Sequence, residues 1–378
     1  MGIYFDIESH RSMVFDEVRN KAYAKAIIKA VTPGCTVLDL GAGMGIHGLL
    51  AASAGAGKVI LLDTSPVVGL GSEIARVNGV DNRVEVIRKR IEEADLEAPV
   101  DVIISVFTGN FLLSEDLLPA LFSARDRFLK PGGVMLPCKA RMKAALVTAK
   151  SYYKEHIERW SQPTLGVDFS PIRRFAANGI YFASAKEIGA ELLCEPATLN
   201  ELDFATASTA ATRASVEVQV QQAGTCHGIL GWFDMHLGDD WLSTSPEAEP
   251  MHWSLAFLPL DPPMDFQTGD RVVMELDRPD FGEWTWTVTC GSQRRRHSTF
   301  QYKLADLEYL KKQSADYVPG LGSEGEVALY VLQQMKIGKC VAEILDGLAS
   351  AFPTLVERDP QLQKRIRSMV SKWGNEEG

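Results

Sequence analysis

The stretch with the densest chemical content is Val37-Leu38-Asp39-Leu40-Gly41-Ala42-Gly43-Met44-Gly45-Ile46, an apolar run that breaks into three glycines at alternate positions. It resumes as Leu49-Leu50-Ala51-Ala52, so the spacing predicts a buried strand, a tight turn and the first turn of a helix. Glycine lacks a Cβ and tolerates positive φ, which lets backbone N–H groups come close to a ligand. A small molecule is therefore expected at the carboxyl end of this strand. The next apolar run, Lys58-Val59-Ile60-Leu61-Leu62, ends in Asp63, a carboxylate placed to accept both hydroxyls of a ribose. A dinucleotide fingerprint needs a glycine at the sixth position of G-x-G-x-x-G, and Ile46 stands there instead. A nicotinamide dehydrogenase is the competing reading, and a purely structural strand-to-helix turn is the bland one.

Several elements must position these groups. Residues 12–29 form an expected amphipathic helix, with Met13, Val18, Tyr23, Ala26 and Ile27 on one face. Asp16 and Arg19 lie three apart on it and, by spacing alone, make a surface ion pair. Beyond Asp63 the pattern alternates between a helix over 65–78, a strand at Val84-Glu85-Val86-Ile87, and a turn carrying Glu92 and Glu93. Val100-Asp101-Val102-Ile103-Ile104-Ser105 is apolar enough to be buried on both faces. A helix over 117–129 follows, stopped by Lys130-Pro131-Gly132-Gly133 before Val134-Met135-Leu136. Such alternation predicts a doubly wound α/β domain whose first four strand-end loops surround one crevice.

The pattern D-x-G-x-G-x-G with a strand-end acid resembles the S-adenosylmethionine site of class I methyltransferases. More specifically, 37–137 resembles the catalytic domain of the protein arginine methyltransferases, and the flanks agree. Tyr4-Phe5 and His10-x-x-Met13-x-x-Asp16-x-x-Arg19-x-x-x-Tyr23 are similar to that family's N-terminal helix, which lids the cofactor. Ser243-Thr244-Ser245-Pro246-Glu247 with His252-Trp253 resembles its second substrate loop, with Met251 in place of the usual Thr. The similarity spans roughly residues 4–300. It implies an N-terminal lid helix (1–30), a Rossmann-like S-adenosyl-L-methionine-binding domain (31–138) and an antiparallel β-barrel (139–302) with a dimerisation arm at about 155–185; the tail has no counterpart in the minimal family, and its own amphipathic periodicity predicts a C-terminal helical module (303–378). The resemblance also implies residue roles. Asp39, Gly41, Gly43 and Gly45 belong to the cofactor site, Asp63 binds the ribose, Glu92 contacts adenine, Arg19 pairs with the cofactor carboxylate, and Met13 packs near the reacting centre. Asp16 and His252 form a pair at the substrate mouth, and Val106, Phe107, Thr108 and Trp253 belong to the acceptor loops.

One departure bears on chemistry. The family carries two glutamates nine residues apart in the loop after the fourth strand; here Glu115 matches the second and Val106 stands at the first. A guanidinium is protonated at neutral pH, so methylating it calls for carboxylates that orient the planar group and localise its charge. Three readings follow. In the first, the enzyme methylates an arginine or other guanidino nitrogen, with Glu115 as main clamp and Asp116 or Asp240 filling in. In the second, the acceptor is a different N or O nucleophile, such as an amine, imidazole, amide or carboxylate. In the third, the chain is an idle cofactor- or peptide-binding module. Methyl transfer from a sulfonium needs no metal, and none is expected.

The rest of the sequence sets the frame. Its 378 residues suffice for two or three domains. With 39 Lys and Arg against 49 Asp and Glu, the net charge of −10 disfavours nucleic-acid and membrane-surface binding and suits a cationic acceptor, whether protein, peptide or small molecule. Met1-Gly2-Ile3-Tyr4 lacks a signal-peptide pattern, and the six cysteines form no C-x-x-C pair, which points to a reduced, cytoplasmic protein. His10, His47 and His156 are expected at solvent-facing or structural positions. From 141 to about 300, period-two runs such as Val216-Glu217-Val218-Gln219-Val220 predict antiparallel strands. Within them, 160–172 resembles the family's dimerisation arm. Trp241 and Trp253 are candidates for channel wall or barrel core, and Arg294-Arg295-Arg296-His297 is expected in a hairpin, as a solvated turn in preference to a docking patch for an acidic partner. The tail over 304–373 predicts three short helices punctuated by Gly338 and Pro353. Val341-Ala342-Glu343-Ile344-Leu345 with Phe352 resembles small domains that capture leader peptides; a helical cap on the barrel or dimer interface is the alternative.

Overall fold

The computed structural model describes residues 7–304, 307–312 and 314–374, and Tyr4 and Phe5 of the leading motif lie outside them. Among the described residues, the first half holds a sheet of β1 (Thr36–Leu40), β2 (Lys58–Asp63), β3 (Val84–Arg88), β4 (Val100–Ser105) and β5 (Leu129–Leu136). All pairings are parallel and the order is β3-β2-β1-β4-β5. The order reverses at β1, so the carboxyl ends of β1 and β4 diverge and open a crevice between them. The expected stop at Lys130-Pro131-Gly132-Gly133 is instead part of β5, accommodated by a register shift against β4 between Val100 and Val102.

The helices are α1 (Ile7–Val14), α2 (Glu17–Ala30), α3 (Ile46–Ser53), α4 (Leu70–Val77) and α5 (Leu118–Phe128). The single helix expected over 12–29 is thus two. Asp16 sits between them at ψ 87°, outside helical geometry, and its side chain accepts the Arg19 N–H as the N-cap of α2. An Asp at this place stabilises the helix by about 1 kcal/mol relative to Ala. The carboxylate that breaks the helix is therefore the one the sequence marks for chemistry.

The second half is antiparallel. Its strands are β6 (Lys139–Thr148), β7 (Tyr181–Ala183), β8 (Glu191–Leu192), β9 (Ala197–Asp203), β10 (Thr212–Gln219), β11 (Gly224–Leu237), β12 (Asp240–Ser243), β13 (Leu255–Phe266), β14 (Arg271–Arg278), β15 (Thr285–Cys290) and β16 (Gln293–Ser298). One sheet runs β7-β13-β11-β6-β8, with β12 on β11 and β9 on β6, and another runs β10-β14-β15-β16. The arginine run lies in a hairpin, as expected, but on its second strand and not in its turn. His297 lies opposite Trp286 and its ring stacks there at 5.6 Å, while Arg295 donates to the Pro262 carbonyl and Arg294 lies 3.7 Å from Glu275. The segment expected as an arm starts from the helix Lys150–His156 and bends through short 3₁₀ turns. A bridge between Thr164 and Val167 presents Leu165 fully to solvent, with Trp160 and Phe169 also exposed.

The chain divides after Lys303. Among the described residues of the second unit are helices Leu307–Lys312, Ser323–Lys336, Val341–Ala351, Pro353–Arg358 and Leu362–Trp373. Val327, Val331, Ile344, Leu348, Leu362 and Ile366 form its core. Gly338 has a φ of 77° just past one helix, and the Cys340–Glu343 capping box starts the next.

Candidate active site

A crevice of about 680 Å³ opens where β1, β2 and β4 end, a size that suits a nucleoside and part of an acceptor. Gly41 and Gly43 line its floor, at φ 71° and 54°. A side chain at Gly41 would strike the Phe107 ring, and one at Gly43 would press on the ring of His10 at 3.2 Å from a left-handed backbone that disfavours any side chain. Gly45 is different: it is the αL N-cap of α3, and a Cβ there would hit Leu61 at 2.6 Å. It serves helix–strand packing and is not among the crevice residues. Asp39 also departs from its expected place. It is buried under α3, accepts the Gly48 N–H at 2.7 Å, and does not line the crevice. Burial pushes its carboxyl up to about 7, against the pull of that N–H.

Asp63 lines the crevice at the end of β2 and is locked by two backbone donors, Gly43 N–H at 2.8 Å and Ser65 N–H at 2.7 Å. Both oxygens keep a further lone pair, as a ribose diol requires. Glu92 lines the same side, steadied by Arg90 at 3.3 Å.

Over the opposite wall lie α1 and α2, with Met13 and Arg19 facing in. Arg19 is buried, donates to the Met13 carbonyl at 2.5 Å, and lies 5.9 Å over the Trp253 ring. Asp16 and His252, 236 residues apart in sequence, meet through two bonds to one carboxylate oxygen, from the ring Nδ1 at 2.8 Å and the backbone N–H at 3.0 Å. Burial alone would raise the Asp16 carboxyl, but the His252 and Arg19 donors outweigh it and hold it below the usual range. Burial holds the His252 imidazole below its ordinary value, partly offset by Asp16. A carboxylate facing a neutral Nδ1–H donor results.

The loop over 106–117, expected to face the acceptor, closes the crevice with Val106, Phe107, Thr108 and Glu115. Phe111 and Leu112 adopt positive φ, an arrangement costly for such residues, and the loop holds it by burying Phe111 against Trp284 at 5.4 Å along with Leu112 and Leu113. The Trp253 indole N–H donates to the Thr108 carbonyl at 2.8 Å, and Ser254 N–H to the Asn110 side chain at 2.8 Å. Trp253 is therefore both core and wall, whereas Trp241 lies outside the crevice under Arg141 at 4.2 Å.

Neither acid expected to assist Glu115 is among the crevice residues. Asp116, at φ 56°, turns away to accept from buried Arg278 and from Phe281 N–H. Asp240 pairs with Lys25 at the surface. Glu115, by contrast, lines the crevice. His10 and His47, expected at solvent-facing or structural positions, are buried and line the crevice; the three-residue spacing of His10 with Met13 and Asp16 was the available signal for the first. His156 packs structurally against Tyr152 and Tyr181.

The comparisons with known proteins agree with this geometry. Residues 37–133 match the model of a methyltransferase domain and 138–280 that of the arginine methyltransferase oligomerization subdomain. Protein arginine N-methyltransferase 6 of Xenopus laevis is 32% identical over 317 residues, covering 80% of this chain and 90% of that protein. Arginine N(omega)-methyltransferase of Streptomyces achromogenes subsp. streptozoticus is 31% identical over 283 residues, covering 72% and 76%. Among solved structures, the Trypanosoma brucei PRMT1 enzyme–prozyme heterotetrameric complex with AdoHcy superposes with a TM-score of 0.72 at 26% identity, covering 79% of this chain and 99% of that one.

Proposed function

The chain belongs to the protein arginine methyltransferase family, and from that premise we propose that it transfers the methyl group of S-adenosylmethionine to a guanidino nitrogen of arginine, in a protein or peptide or as the free amino acid. It is an S-adenosylmethionine-dependent methyltransferase, and the crevice fits that donor: two glycines leave backbone room beside a strand-end carboxylate with free lone pairs. When bound, the donor supplies an electrophilic sulfonium methyl. Asp63 holds the ribose, Glu92 the adenine edge and Arg19 the donor carboxylate, with Gly41, Gly43, Met13 and His10 around the methionine end.

The observation that carries the acceptor assignment is Glu115 lining the same crevice as Asp63. Its carboxylate orients one edge of the guanidinium and draws positive charge toward that edge, which leaves the opposite nitrogen better able to attack. Alignment at near-attack distance supplies much of the acceleration. Thr108, Phe107 and Trp253 shape the slot, and Val106 lines it where a second acid would stand. Asp16 and His252 tie the lid to the substrate loop and pass the released proton toward solvent.

The exposed segment at about 155–185 acts as the dimerisation arm, and the partner is a second copy of this chain. All six cysteines are free thiols, which suits the cytoplasm. Among the described residues no helix is long and apolar enough to cross a membrane. The test supplies labelled donor with an arginine-rich peptide and with free arginine, then identifies the product after acid hydrolysis. Methylarginine is expected; label on any other group would overturn the assignment.

A further inference from the structure

The lid is held by a partly buried knot that the reaction itself does not require. The Asn20 side chain meets the carbonyls of Met13 and Val14 at 3.2 and 2.8 Å, so its amide nitrogen faces these two acceptors. Its oxygen therefore faces Arg19, which donates from Nε at 3.1 Å and from the terminal nitrogen at 3.0 Å, and the His47 Nε2 at 3.2 Å. An amide oxygen has no proton to give, so His47 must donate from Nε2.

His47 occupies the first turn of α3, directly after the glycine floor, and its ring stacks on Tyr23 at 4.4 Å and 19°. The Tyr23 hydroxyl in turn donates to the carbonyl of Ser105, the residue before the acceptor loop, at 2.8 Å. One neutral imidazole thus touches groups tied to the end of α1, to the glycine floor and to the start of the acceptor loop. Burial, reinforced by Arg19, pushes its pKa down to about 3, so it keeps this single-donor form throughout the neutral range.

We propose that His47 and Asn20 form a clasp that positions Arg19 and the α1 lid over the methyl donor, making His47 a positioning residue for donor binding. The proposal rests on the donor site described above. Without the clasp, Arg19 loses the amide oxygen that two of its nitrogens share and keeps only the Met13 carbonyl, and the end of α1 loses its tie to α3.

Calorimetric binding of S-adenosylhomocysteine to the full chain tests it, together with steady-state kinetics and hydrogen exchange over 7–16. His47→Leu is expected to weaken binding about tenfold, the loss of one partly buried hydrogen bond to a group that orients a charge. It should raise the donor KM by a similar factor with kcat changed less than threefold, and abolish donor-induced protection of 7–16. His47→Gln, which returns an N–H donor, should recover most of the affinity. Asn20→Leu should reproduce the loss from the other side, which keeps the test decisive where the His47→Leu protein folds poorly. Undiminished affinity in both Leu variants would overturn the clasp while leaving the donor site standing, as would a loss that His47→Gln fails to relieve. Failure of the unaltered protein to bind would overturn both.

Discussion

At the scale of single residues, the proposed reaction places one carboxylate, Glu115, against the acceptor. Glu115→Gln keeps the shape and removes the charge, so kcat should fall about 10²–10³-fold, the usual loss for a charge-stabilising group, with donor affinity unchanged by calorimetry. Unimpaired turnover would take Glu115 out of the chemistry. Asp63→Ala removes the acceptor of the Gly43 and Ser65 N–H groups as well as the ribose partner, and donor affinity should drop on the order of 100-fold. That Asp63 lines the crevice was legible from its place at the end of a strand, and that Glu115 does so from the resemblance of its loop to the family's double-glutamate loop. Asp39 was not: its motif position matches, but the side chain alternates to the far side of β1 and holds α3 through Gly48. Asp116 is the counterpart case, because its positive φ sends it to Arg278 while its neighbour Glu115 lines the crevice.

At the scale of elements, the β15–β16 hairpin was legible, but its basic run lies on a strand and not in the turn expected for it. Periodicity in Arg294-Arg295-Arg296-His297 was hidden by uniform charge, yet the strand alternates, and His297 is buried against Trp286 with its Nε2 accepting the Asp261 N–H. Burial pushes His297 down to about 4, with partial relief from Asp261. An unfolded His titrates near 6.5, so the folded state binds fewer protons, and this stabilisation is present above 6.5 and lost as pH falls toward 4. Asp39, whose carboxyl is pushed up to about 7, has the opposite sign, so wild type must be compared with a variant. Between pH 7 and pH 5 the wild type should lose about 2 kcal/mol relative to His297→Gln in urea unfolding. A pH-independent difference would show that the imidazole titrates normally. The break between α1 and α2 carries the same lesson: helical periodicity runs through Asp16, but capping and the bond to His252 outweigh it.

At the scale of the whole molecule, the proposed arm leaves Leu165 fully exposed, beside half-exposed Trp160 and Phe169. Leu165→Asp should shift sedimentation from dimer to monomer, because a charge at a contact core is left without a partner. A dimer that persists would place the interface elsewhere. The crevice and its supporting core lie within residues 7–303, so a chain ending at Lys303 should bind donor within about twofold of the full protein; a larger loss would assign the helical unit a part in donor binding. By itself the sequence determined the donor half: Asp63 and the glycine floor lie within one strand–turn–helix–strand passage, where local geometry leaves little choice. Only the tertiary structure decided how the groups named by the resemblance on the other side of the crevice meet, and which of the loop acids reach it. The Asp16–His252 pair spans 236 residues, and the direction of each loop acid depends on left-handed backbone positions stabilised by buried Phe111 and distant Arg278. Such directions are set by partners far along the chain, and no local pattern encodes them.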